Sequence, residues 1–109
     1  MELTLADLDF TTPWERVEDG ARLEAELAKE VSKLHPLYGK SLRAIAKRID
    51  RDDVIFAGSD CIALVHLTWK SKAESDPRWP TTYLFASIEE LAGQLADDIE
   101  SFNPASSSV

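Results

Sequence analysis

The segment "DDVIFAGSDCIALVHLTW", Asp52 to Trp69, decides the fold. Its two flanks, "VIF" (54–56) and "CIALVHLTW" (61–69), are rich in strand-forming side chains, and the "AGSD" between them supplies the turn formers Gly58, Ser59 and Asp60. This predicts a β-hairpin. The second arm is apolar on both faces apart from His66 and Thr68, which predicts a central strand covered on both sides or nearly so.

Upstream, Ser41–Ile49 fits two periods. As a helix it aligns Leu42, Ile45 and Ile49; as a strand it sets Leu42, Ala44 and Ala46 against Arg43, Ile45, Lys47 and Ile49. The strand is favoured, because the segment is short, follows Gly39, and runs into the polar turn "DRDD". Downstream, "TTYLFA" (81–86) reads as a further strand.

Two helices frame these strands. From about Glu18 to Leu34, Leu23, Leu27, Val31 and Leu34 form an apolar stripe, with Glu24, Glu26, Lys29, Glu30 and Lys33 mostly facing water, until His35 and Pro36 stop the helix. At the other end, Ser87 and Glu90 form a capping box. The helix it opens carries Ile88, Leu91, Ala92, Leu95, Ile99 and Phe102 on one face and Asp97, Asp98 and Glu100 elsewhere. The expected fold is α+β: a three- to four-stranded antiparallel meander sheet with an N-terminal and a C-terminal helix packed on one face. Residues 1–103 make one domain, and 104–109 a disordered tail.

Composition narrows the function classes. At 109 residues, with 44% hydrophobic and 29% charged side chains, the chain has enough apolar content for one modest core. Twelve Lys and Arg against twenty Asp and Glu leave a net charge of −8, which repels phosphate backbones and anionic lipid surfaces, so neither nucleic acid nor membrane is an expected partner. The basic run "KSLRAIAKRIDR" (40–51) is largely cancelled by Asp50, Asp52 and Asp53. A lone cysteine, Cys61, cannot form an intrachain disulfide. Acids at the N-terminus stand where a secretory signal needs Lys or Arg, and no apolar run approaches the ~20 residues of a membrane span. A cytoplasmic location is expected.

Catalytic signatures are missing. There is no phosphate-cradling glycine loop, CxxC, HExxH or serine elbow. The alternating acids of "DRDDVIFAGSD" lack the glycine and terminal glutamate of a calcium loop, so no metal or cofactor is expected. His66 shares a strand face with Ile62, Leu64 and Thr68, where a hydrogen-bonded structural histidine is the commoner finding. As a catalyst it would need Glu74 or Asp76 as an orienting acid. Trp69 and Trp79 bracket an excursion stiffened by Pro77 and Pro80; each indole either anchors the loop to the sheet or joins Arg78 in a binding surface. Cys61 has no basic neighbour in sequence to raise its thiolate fraction, which favours plain packing. Asp52 and Asp53 read as turn residues.

The segments "DDVIF", "VHLTW" and "DPRWP", with Glu74 between the last two, resemble those of a group of small bacterial proteins without assigned function. The resemblance spans Asp52–Leu95 and implies a bacterial, stand-alone domain. It carries no catalytic residue with it. Two function classes follow. The first is a non-enzymatic protein-interaction module, immunity- or adaptor-like, that binds another protein or a second copy and uses Trp69, Arg78 and Trp79; neutralising a basic toxin surface is the kind of role its charge suits. The alternative is a small hydrolase or small-molecule-binding protein using His66 with Glu74 or Asp76.

Overall fold

The computed structural model describes residues 8, 10–70, 72–73, 76 and 78–102. The expected tail, 104–109, lies outside them, as does Glu74. The elements run β1 (Trp14–Arg16), α1 (Ala21–Glu30), β2 (Arg43–Arg48), β3 (Asp53–Ala57), β4 (Ile62–His66), β5 (Thr81–Phe85) and α2 (Ile88–Phe102). The strands form one sheet in the order β1-β2-β3-β4-β5, each pair antiparallel. The fold is therefore the expected α+β meander, with the 41–49 segment a strand and the hairpin of 52–69 at its centre.

It has five strands, because the short lead around Pro13 and Trp14 pairs with β2 through Trp14↔Arg48 and Arg16↔Ala46. Three residues are too few for a periodicity to show.

The helices lie on opposite faces of the sheet. Val54, Phe56, Ala63 and Val65 pack with Leu23 and Leu27 of α1 and with Val31 just past it, whereas Ile55, Ile62, Leu64 and Phe85 pack with Leu91 and Leu95 of α2. The cause lies in β3, where every residue is buried. Alternate residues of a strand point to opposite faces, so the unbroken apolar run Val54–Ala57 needs cover on both. The single covered face expected from the sequence is corrected accordingly.

β2 departs from simple alternation. Its partners shift from Ala44↔Phe56 to Ala46↔Ile55, leaving Ile45 as an extra residue in a β-bulge. Ala44 thus joins the α1 core while Ala46 joins the α2 core, although the two share a face in an unbroken strand.

α1 is also shorter than its pattern. It ends at Glu30, after which Val31 turns extended and the chain proceeds through successive turns. Leu34 is left exposed while His35 and Leu37 are buried instead. His35 Nδ1 accepts the Leu37 N–H, so Nε2 carries the proton and faces the Pro80 carbonyl and Thr82 Oγ1, both at 3.1 Å. This ties the turn after α1 to the start of β5.

Candidate functional site

The polar side chains of α1 do structural work that its amphipathic pattern hides. Glu24 accepts the Ala44 N–H at 3.0 Å, and Gly20 makes room for that contact. A Cβ at Gly20 would sit 2.8 Å from Ala44 Cβ and 2.7 Å from the Glu24 carboxylate. Glu30 is 0% exposed and accepts two backbone donors just past β4, Thr68 N–H at 2.9 Å and Trp69 N–H at 2.8 Å. Burial, followed by a hydrogen bond with Glu26, pushes the Glu30 carboxyl up, and the two backbone N–H groups pull it partly back. Glu26 is buried as well. Both were expected to face water.

Trp69 is held by this carboxylate in a conformation unusual for its type, with φ 60. Its indole N–H donates to Asp52 at 3.2 Å, and the Arg22 guanidinium lies 5.3 Å from the ring centroid. A hollow of about 370 Å³ opens beside it, lined by Asp19, Arg22, Leu23, Lys47, Asp52 and Trp69. The ring is thus an anchored wall on the α1 side of the sheet.

His66, at the end of β4, sits opposite Asp53 in register, and its Nδ1 lies 2.7 Å from Asp53 Oδ1. Asp53 is therefore the acid that orients His66, in addition to any role in the turn. The imidazole side chain is 50% exposed. Asp76 is engaged elsewhere: its carboxylate accepts the Arg78 guanidinium, with contacts from 2.6 to 3.1 Å. That charge-assisted bond pulls the Asp76 carboxyl down. Arg78 is in turn committed within its own loop.

A second polar cluster fixes α2 to the far edge of the sheet. The buried Trp14 donates its indole N–H to Asp98 at 3.0 Å, and Arg48 lies 3.6 Å from the same oxygen. Arg48 also binds Asp50 at 2.7 Å, which pulls the Asp50 carboxyl down. Asp98, expected on the wet face, is a docking residue. For Cys61, burial and then the Asp60 charge push the thiol up, so the thiolate a nucleophile needs is disfavoured. Among the described residues, no group of three or more His, Cys, Asp or Glu is placed to hold a metal ion, and no helix is long and apolar enough to cross a membrane.

The remaining surface is the β5 edge. β5 pairs with β4 on one side, and among the described residues no strand pairs with its other side. Tyr83 is 54% exposed, Leu84 47% and Trp79 46%. Tyr83 donates its hydroxyl to Glu90 at 2.8 Å and stacks edge-on against Phe85 at 4.9 Å between centroids, so its ring is held in place at the rim. The two indoles of the excursion thus part company: Trp69 is anchored, whereas Trp79 joins the exposed rim. Tyr83 and Leu84 were missed as surface residues by sequence reasoning, although the signal was available: the last strand of a meander is an edge.

Compared with known proteins, the chain matches no family model, no curated protein and no solved structure.

Proposed function

We propose that the protein is a non-enzymatic interaction module, immunity- or adaptor-like, that docks another polypeptide along the β5 edge. The carrying observation is that edge: Thr81–Phe85 carries no charge, its outer side pairs with no strand among the described residues, and it presents exposed Tyr83 and Leu84 with exposed Trp79 just before it. Unpaired backbone N–H and C=O groups on a sheet edge add a partner strand through ladder hydrogen bonds, with alternate side chains supplying selectivity. The opposite edge is a poorer template, since β1 has only three residues and follows Pro13. The net charge of −8 supports a protein partner over nucleic acid or an anionic membrane, and the lone cysteine and the resemblance to bacterial segments support a bacterial cytoplasm as the place of work.

Photo-crosslinking in cells tests this. A photo-reactive amino acid at position 84 should give protein adducts that one at position 29, on the exposed side of α1, does not, and Trp79→Ala should reduce them. Equal labelling at the two positions ends the proposal.

The hydrolase reading keeps one supporting observation: Asp53 orients the His66 ring through Nδ1 and the side chain is half exposed, an arrangement a general base needs. Its test is a His66→Gln variant in a screen of model esters and amides. Unchanged background hydrolysis removes it.

A further inference from the structure

We infer that the hollow beside Trp69 is a binding site for a small zwitterion, a free α-amino acid with an apolar side chain. It is built from the α1 side of the sheet, apart from the β5 edge, and stands independently of the strand-addition reading.

Four separate segments build it. Asp19, Arg22 and Leu23 come from the start of α1 and the residues before it, Lys47 from β2, Asp52 from the turn before β3, and Trp69 from just past β4. At about 370 Å³ the hollow is at the small end of ligand sites, which suits a metabolite better than a length of polypeptide.

Its aromatic wall is set in advance. Glu30 holds the Trp69 backbone at φ 60, and Asp52 holds the indole N–H, so little freedom is left for the ring to lose on binding. Non-glycine residues kept in that backbone region collect at ligand clamps and similar sites.

Charge selects the ligand. Among the described residues, neither Arg22 nor Lys47 pairs with an acid, and neither Asp19 nor Asp52 pairs with a cation. Arg22 stands 5.3 Å from the ring centroid with its N–H donors unused. Asp19 and Asp52 each commit one carboxylate oxygen, to the Ala21 N–H at 3.1 Å and to the Trp69 indole, and keep the other. Two cations and two acids thus line one hollow with their charges uncompensated.

A simple anion would meet the two acids there and the net charge of −8 around them, whereas a simple cation would meet Arg22 and Lys47. A molecule with one charge of each sign answers both pairs. Its carboxylate engages Arg22, whose fork suits bidentate contact, together with Lys47. Its ammonium takes the spare oxygens of Asp19 and Asp52, and its apolar side chain lies against the indole.

Nitrogen–proton correlation NMR reads the indole N–H groups of the three tryptophans separately. L-leucine and L-phenylalanine at millimolar concentration should move the Trp69 signal saturably and leave those of Trp14 and Trp79 in place. Arg22→Gln and Lys47→Gln should each weaken binding about tenfold, the loss of one charge-assisted hydrogen bond, with unchanged far-ultraviolet dichroism. Lys29→Gln, elsewhere on α1, should bind as wild type does. N-acetyl-L-leucine, which lacks the ammonium, and L-leucine amide, which lacks the carboxylate, should each bind about tenfold more weakly than L-leucine. If a charge variant loses its dichroism, these two ligands decide alone. The inference is overturned if neither amino acid moves the Trp69 signal, or if the affinity survives both charge variants. It is overturned too if N-acetyl-L-leucine binds as well as L-leucine, which would make the hollow a plain anion site.

Discussion

Glu30 and Trp69 lie thirty-nine positions apart in the chain, yet the fully buried carboxylate of one holds the backbone N–H of the other at 2.8 Å while Trp69 sits at φ 60. A non-glycine residue in the left-handed region costs about 1 kcal/mol or more, so something must over-determine it. Here the carboxylate does so, with Asp52 on the indole nitrogen and Arg22 over the ring. This corner fixes the direction in which the chain leaves the end of β4.

Replacing Trp69 should therefore reverse the usual order of small residues. Trp69→Gly should be more stable than Trp69→Ala by about 1 kcal/mol, because glycine alone adopts φ 60 without penalty. Urea denaturation of the two variants measures it. Equal stabilities, or a more stable alanine variant, would show that the left-handed conformation is not imposed by the corner.

Titration of Glu30 should leave a signature of definite sign. Its carboxyl is raised above the ordinary value of 4.5, so between that value and the raised one the native state holds more protons than the unfolded state. The stabilising contribution is fully present below 4.5 and is lost as pH climbs through the raised value. Asp50, Asp60 and Asp76, which Arg48, Lys40 and Arg78 pull down, act the other way: their contribution is present above the ordinary value of 3.8 and fades as pH falls through their lowered ones. Stability measured by urea from mildly acidic to neutral pH should fall more steeply for wild type than for Glu30→Gln. Parallel curves would show that Glu30 is not the group that takes up the proton.

The contrast between Glu30 and the strands shows what was legible from sequence. Hairpin, meander and capped C-terminal helix were readable because each follows from local periodicity and turn chemistry over five or more residues. The acids of α1 were not: Glu24, Glu26 and Glu30 look like solvated helix positions, and only the tertiary approach of Ala44 and of the end of β4 turns them inward. The same applies to Asp53, whose place beside His66 depends on strand register, and to the split of Ala44 and Ala46 between the two cores, which depends on a bulge at Ile45. For the rim, the chemistry of Trp79 was readable, but its separation from Trp69 was not, since the nine residues between them fix no relative position.

Asp98 and Asp97 are adjacent in sequence and opposite in role. Asp98→Ala removes the acceptor of the Trp14 indole and one partner of Arg48, both buried, and should cost about 2–3 kcal/mol. Asp97→Ala, at an exposed position, should stay within about 0.5 kcal/mol of wild type. Thermal or urea unfolding separates them. A similar loss for both would mean that helix charge, and not the docking contact, carries the effect.

Two glycines make the sharpest pair. Gly93 lies in the interior of α2, and a methyl group there would meet nothing within 4 Å, so Gly93→Ala should stabilise the protein by about 0.5–1 kcal/mol through helix propensity alone. Gly20 precedes α1 with ordinary backbone angles, so its own conformation does not demand glycine. Its surroundings do: a methyl there would press on Ala44 Cβ and on the carboxylate that caps the Ala44 N–H. Gly20→Ala should destabilise by about 1–3 kcal/mol, the usual range for overpacking. The additional variant Glu24→Ala in the Gly20→Ala background should recover part of that loss, because the nearest clashing atom is then gone, although the freed Ala44 N–H limits the gain. Additive losses in the double variant would mean that the approach of α1 to β2 is limited by backbone contact and not by the Glu24 side chain.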